Sequence, residues 1–171
     1  QVQRGLGASA LGISSVGGTM NMVTKSTEAQ KGGSAYFGIG NDGFRKYSVS
    51  FSTGLMDNGW AITFMGSLNT GDGYVKGTNY EGWTYFGNIS KVINDHHKLS
   101  LTAFGAPQWH NQRSTMHYIE DYKNSPDGGR FNNGYGYING EAVGSGYGYN
   151  YYHKPQVSLN HYWTIRSEEH T

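Results

Sequence analysis

From Ser34 to Phe104 the chain alternates apolar and polar side chains with a period of two, in runs separated by short clusters of Asn, Asp and Gly. That period sends successive side chains to opposite faces of a strand, so each run predicts a β-strand with one apolar and one polar face. Ala35, Phe37 and Ile39 alternate with Tyr36, Gly38 and Gly40, and Asn41-Asp42-Gly43 supplies a hairpin turn. Tyr47, Val49 and Phe51 stand against Ser48, Ser50 and Ser52, and Met56–Gly59 closes that run. Trp60, Ile62, Phe64 and Leu68 alternate with Ala61, Thr63 and Ser67. Beyond a polar connection from Gly71 to Gly82, Trp83, Tyr85, Gly87 and Ile89 face away from Thr84, Asn88 and Ser90. Asn94-Asp95-His96-His97 then turns the chain into Leu99, Leu101 and Ala103, which alternate with Ser100, Thr102 and Phe104. A last strand, from Val157 to Ile165, repeats the theme.

The expected fold is therefore all-β, an antiparallel meander of about six long strands, each near the 9–11 residues that a tilted strand needs to cross a bilayer. Turn length alternates as well. Met56–Gly59 and Asn94–His97 are short, while Gly71–Gly82 and Asn111–Pro155 are long. Transmembrane barrels carry short turns at one rim and long loops at the other, so the rhythm assigns two sides. Aromatics near strand ends (Trp60, Trp83, Tyr85, Trp109, Trp163) fit interfacial girdles; a sandwich core is the alternative for each of them.

Composition narrows this reading. The 171 residues include 27 Gly, 14 Tyr, 7 Phe and 4 Trp but only 3 Pro and no Cys, a balance that favours strands and removes disulfides and thiolate metal sites. A net charge of +1 gives no reason to expect nucleic acid or an anionic surface as partner. Mean hydropathy is −0.63, which a barrel tolerates because only alternate strand residues need be apolar. No apolar run approaches the ~18 residues of a spanning helix. The start, QVQRG, lacks a charged n-region and an h-region, so for an exported protein the true N-terminus is expected upstream. Residues 166–171, RSEEHT, read as the in-frame translation of a common sequencing adapter, and the natural sequence is expected to end near Ile165.

The N-terminal stretch is different in kind. VQRGLGASALGISSVGGTMNMVTK places glycines at 5, 7, 12, 17 and 18, with Asn21, Thr24 and Lys25 following at fixed spacing. It resembles the C-terminal end of the plug domain of TonB-dependent outer-membrane receptors of the Bacteroidetes type, whose pattern RGxxAxxxGxxxxGGxxNxxTK is met by Arg4, Gly5, Ala8, Gly12, Gly17, Gly18, Asn21, Thr24 and Lys25. A glycine-rich turn before an edge strand in a secreted β-protein is the plainer alternative. The resemblance implies residues 1–32 as the end of a plug and 33–165 as the first strands of a transmembrane barrel, within a plugged barrel of about 22 strands. It further implies outer-membrane lipid around the barrel, a scarce extracellular ligand, and TonB with its inner-membrane energising complex as partner through upstream residues. Under it, Val49, Phe51, Ile62, Phe64, Leu99, Leu101, Leu159 and Ile165 are expected to face lipid. Ser48, Ser50, Thr63, Asn88, Ser100 and Asn160 are expected to face the lumen. A passive porin, a structural barrel or a secreted β-rich adhesin module are the competing classes.

Candidate chemistry is sparse. His96-His97 lies on a turn, where solvated histidines are the common case, and His110 and His117 have no Asp, Glu or Cys at ligand spacing. Asp42 and Asp72 precede glycines and read as turn formers. No enzyme signature, metal site or cofactor motif emerges. In GAPQWHNQR, Gly105 to Arg113, Pro107 is expected to interrupt the ladder and leave Gln108, His110 and Arg113 lining an outer vestibule. The Gly- and Tyr-rich segment 111–155 is expected to be an extracellular loop with a small hairpin, Gly128-Gly129 at one bend, and Tyr147 and Tyr149 offered to a ligand. A mobile loop without a ligand is the alternative.

Overall fold

A computed structural model describes residues 2–3, 19–20, 26–113, 116–138, 141–143 and 148–165. The plug motif residues Arg4, Gly5, Gly12, Gly17, Gly18, Asn21, Thr24 and Lys25 lie outside the described residues, as do Tyr147 and residues 166–171. Within the motif, only β1 (Val2–Gln3) and β2 (Thr19–Met20) are described, as an antiparallel pair.

The body of the chain is one eight-stranded, wholly antiparallel meander, open rather than closed on itself. In chain order its strands are β3 (Gly32–Ile39), β4 (Arg45–Leu55), β5 (Trp60–Gly71), β6 (Tyr80–Val92), β7 (His97–Gly105) and β8 (Gln108–Asn111). After a separate small hairpin, β9 (Gly136–Ile138) and β10 (Glu141–Val143), come β11 (Tyr149–Tyr152) and β12 (Gln156–Trp163). The hairpin in the long loop is thus present, but Gly128 and Gly129 belong to a 3-10 turn before it, Gly128–Arg130.

Pro107 divides β7 from β8, yet the two form one line. On β6, Gly105 pairs with Tyr85 and Gln108 with Gly82, without a change of register. On the other side Phe104 pairs with Gln156 and Gln108 with Tyr152, again without a slip. Proline removes a donor, not an acceptor, and the Pro107 carbonyl still takes the Trp83 N–H at 2.8 Å. The six sequence-predicted strands are therefore six lines of chain, two of them interrupted and longer than their alternation revealed.

Short turns follow their residues. Asp42 and Gly43 both have positive φ (54° and 71°), as a type I′ hairpin turn requires, and Phe44 N–H closes it on the Asn41 carbonyl at 3.1 Å. At Asn94–His97 the Asn94 side-chain oxygen accepts both the His96 and the His97 N–H at 2.9 Å. His96 is exposed and His97 half-buried, and each ring also has a partner. The nearly coplanar rings of His97 and His161 meet nitrogen to nitrogen at 3.0 Å, and His96 Nδ1 lies 3.0 Å from the Thr164 carbonyl.

Register places the two sets of side chains on opposite faces. One face carries Tyr47, Val49, Phe51, Ile62, Phe64, Ile89, Leu101 and Leu159, all of them exposed. The other carries Ser52, Asn88, Ser90, Ser100 and Thr102, all buried; among the described residues Ala61, on this same face, is the single buried apolar side chain. Asn88 Nδ2 donates to Ser100 Oγ (2.9 Å) and Thr102 Oγ1 (2.6 Å), and Ser90 Oγ donates to Asn88 Oδ1 (2.8 Å). The buried layer is thus held by hydrogen bonds between side chains, each satisfying a group that burial would otherwise penalise. The 3-10 turn Ser26–Glu28 packs across β4, β5 and β6. Since the apolar face of those strands is open, the turn lies on the polar one. At the end of β4 a bulge at Ser52–Leu55 turns on Gly54 (φ 64°), where an added Cβ would stand 3.1 Å from the Lys31 nitrogen.

Candidate functional site

At the long-loop end of the polar face, Asn69, Tyr80, Gln108 and His110 make no side-chain hydrogen bond to any described residue. Directly paired positions align Lys46 with Asn69, Asn69 with Gly82 and Gly82 with Gln108; one row further out, Gly71 pairs with Tyr80 and Tyr80 with His110. Asn69, Tyr80, Gln108 and His110 therefore share a face. They line an open cavity of about 300 Å³ with Thr78, Glu81, Gly82, Trp109 and Asn111. Gly82 makes room for this: its missing Cβ would lie 3.2 Å from the Asn69 amide nitrogen. Between this set and the buried Asn88 network, the same face carries Met65, Phe86 and Phe104 in one cross-strand row.

A cap forms one side of the cavity. Loop 72–79, the turn at Asp42 and the segment containing α1 (Ile119–Asn124) are tied together by Arg130 to Asp42 and Lys76 to Asp127. Lys76 N–H donates to the Arg130 carbonyl at 2.9 Å, Asn132 Nδ2 to the Lys76 carbonyl at 2.7 Å, and the Arg130 guanidinium lies 5.0 Å from the Tyr74 ring centre. Asn111, buried at the end of β8, donates from its amide to Asn79 Oδ1 at 2.8 Å and anchors the same loop to the sheet. The loop is thus an ordered layer over one rim of the sheet.

Of the residues singled out from sequence, the fold brings Gln108 and His110 together on the polar face, as their spacing of two dictates. Arg113 lies past the end of β8, its guanidinium 5.4 Å from the Tyr122 ring centre. Tyr149 falls on the opposite face, stacked on Trp109 at 5.9 Å, and is separated by the sheet from Gln108 and His110. Asn69 and Tyr80 carried no signal in the chain order; only the pairing of β5, β6 and β8 reveals them as neighbours of Gln108. Among the described residues, no group of three or more His, Asp or Glu is placed to hold a metal ion, and no helix is long and apolar enough to cross a membrane.

The arrangement offers amide, phenol, imidazole and, from Glu81, carboxylate groups around an open hollow. No family model, curated protein or solved structure matches this chain. The reading of function rests on the residues themselves.

Proposed function

We propose that the chain is part of a TonB-dependent outer-membrane transporter, comprising the end of a plug and the first strands of a plugged barrel. The observation that carries the reading is the inversion of the sheet: Phe64 is 47% exposed and Asn88 1%. Water-folded proteins bury the apolar face and solvate the polar one. A sheet bounded by lipid outside and by a polar, filled lumen inside does the reverse.

The dimensions agree with this. On the apolar face of β5, Trp60 begins the band and Thr70 is the first polar side chain. Ten residues at about 3.4 Å each, tilted by about 40°, span about 26 Å of bilayer, close to the apolar band of outer-membrane barrels. Aromatics flank it, with Trp60 and Trp163 at the short-turn rim and Tyr47, Trp83 and Trp109 toward the loops. The turn Ser26–Glu28, which precedes the first barrel strand and lies against the polar face, supports a plug continuing into the lumen. Ligand captured at the loop rim would be released inward when TonB pulls on that plug.

Two substitutions in the intact receptor test the barrel. Phe64→Arg, near the bilayer midplane, should cost about 2–4 kcal/mol in a refolding titration, and Thr63→Arg much less. Equal costs at the two positions would overturn the assignment. The transport step is tested at the glycine pair of the motif: Gly18→Val should reduce energised uptake more than ligand binding to whole cells, a separation that a passive porin would not give.

A further inference from the structure

At the short-turn rim, two histidines from distant parts of the chain meet on the apolar face. His97 opens β7 and His161 stands near the end of β12, 64 residues away. The antiparallel register sets His161 opposite Leu99 and Trp163 opposite His97, so the two imidazoles are diagonal neighbours on one face. His97 Nδ1 and His161 Nε2 are 3.0 Å apart, and the ring planes differ by 16°. Trp163 lies against His97 with its ring centre 6.0 Å away and its plane inclined by 22°, which restricts where that imidazole can turn.

By itself the contact is one N–H···N hydrogen bond, with one ring donating. Neutral imidazole carries a single N–H, on either nitrogen. With that hydrogen on Nε2 of His97 and on Nδ1 of His161, both facing nitrogens offer lone pairs and no proton has to leave the pair. The lone pairs lie in nearly one plane, and a small turn of the exposed His161 side chain makes them converge. On the scale of zinc–imidazole bonds, about 2.0–2.1 Å, nitrogens 3.0 Å apart subtend about 91–97° at a shared ion. A tetrahedral angle would need them about 3.3–3.4 Å apart. An angle near 90° is that of adjacent ligands in the tetragonal geometry that Cu2+ and Ni2+ prefer.

The surroundings leave the pair open to a cation. The Lys91 ammonium, opposite Leu99 in the register, is turned aside: it donates to the Asn58 carbonyl at 2.5 Å and lies 5.2 Å from the Trp60 ring centre. Lys98 lies on the other face, 4.7 Å from the Tyr162 ring centre. His96 takes no part, since its Nδ1 is 3.0 Å from the Thr164 carbonyl. Among the described residues no third His, Asp or Glu completes the set, which leaves the remaining coordination positions to water.

We propose that His97 and His161 form a two-nitrogen site for a divalent transition metal, with Cu2+ held ahead of Ni2+ and Zn2+. The ion ties β7 to β12 across the rim and fixes in register a strand pair whose closure spans the long loop. This goes beyond the transporter reading and does not rest on it, because the pair belongs to the sheet whatever surrounds it.

The test is titration of the tag-free protein in detergent micelles with Cu2+, Ni2+ and Zn2+ in turn, by calorimetry, and electron paramagnetic resonance of the Cu2+ form. Cu2+ should bind one to a chain, about tenfold more tightly than Ni2+ or Zn2+. Its spectrum should carry the splitting of two imidazole nitrogens. His97→Gln and His161→Gln should each weaken the site roughly tenfold, while His96→Gln and His110→Gln should leave it within about twofold. Saturating Cu2+ should raise the urea midpoint of the parent but not of His97→Gln or His161→Gln, since only the folded pair gains from the ion. Circular dichroism of each variant should match the parent. Equal Cu2+ affinity in the parent and in folded His97→Gln and His161→Gln, loss of the site in His96→Gln instead, or a urea midpoint unmoved by Cu2+ in the parent would overturn the proposal.

Discussion

Ile89 and Leu101 stand directly opposite one another on β6 and β7, 44% and 43% exposed. Their chain neighbours Asn88 and Thr102 are also directly opposite, but are closed to 1% and 5% and joined by a 2.6 Å hydrogen bond. Polar groups closed off and apolar groups open, one residue apart on the same two strands, are what the proposed lipid-facing orientation accounts for. Asn88→Leu should therefore destabilise the protein by about 1–3 kcal/mol, since the hydroxyls of Ser90, Ser100 and Thr102 would lose buried partners. Leu101→Ile, which keeps an apolar surface, should stay within about 0.5 kcal/mol. Urea titration of protein refolded into detergent micelles measures both.

The free chain should not be a soluble monomer. Its apolar face is open, and both sheet edges, β3 on one side and β11 with β12 on the other, are unpaired. Expression without membrane should give inclusion bodies, and removal of detergent from refolded chain should give aggregates in sedimentation. A monomer in plain buffer with a cooperative melt would contradict the lipid-facing assignment.

Gly54 brings β4 close to residues 29–31 of the N-terminal segment. Its positive φ and the 3.1 Å approach to Lys31 leave no room for a β-branched residue. Gly54→Val should cost on the order of 1–3 kcal/mol and loosen residues 26–31, read as faster tryptic cleavage at Lys31. Gly87→Ala, with nothing within 4 Å of the new Cβ, is the control and should change little.

The ion pairs of the cap are half-exposed, so their effect is local. Asp42→Asn should lower global stability by less than about 1 kcal/mol. It should nevertheless speed cleavage at Lys123, because Arg130 then loses its partner on the turn. Salt should reproduce part of that effect in the parent protein and less in the variant.

Much of the sheet is legible in the chain. Tyr47, Val49 and Phe51 alternate without exception, and Asp42-Gly43 names its own turn. The long lines through Pro107 and Pro155 were not legible, because proline reads as a ladder break. Only the tertiary pairing shows that its carbonyl still serves and that register persists across it. The helix Ile119–Asn124 has six residues and no buried side chain, too short to stand on its own propensity. It is held by contacts such as Tyr122 against Phe131 at 6.2 Å, which join the helix to the chain beyond the next turn. At the rim, a spacing of two puts Gln108 and His110 on one face of β8, while Arg113 lies past its end. The face of Tyr149 depended on a register that begins at Val157 and continues past Pro155, so no local pattern could assign it.

Each line of the meander pairs only with its predecessor and its successor along the chain. That neighbour-to-neighbour order governs the sequence of assembly. Hairpins such as β4–β5, closed by a turn of a few residues, cost little chain entropy and can form as soon as both strands exist. The line of β12 and β11 must wait for the whole segment between Asn111 and Tyr149, a much larger loop to close. In the closed wall that the transporter proposal implies, the outer edge of β3 would find its partner last, in a strand beyond those described, and that final seam would set the pace of insertion.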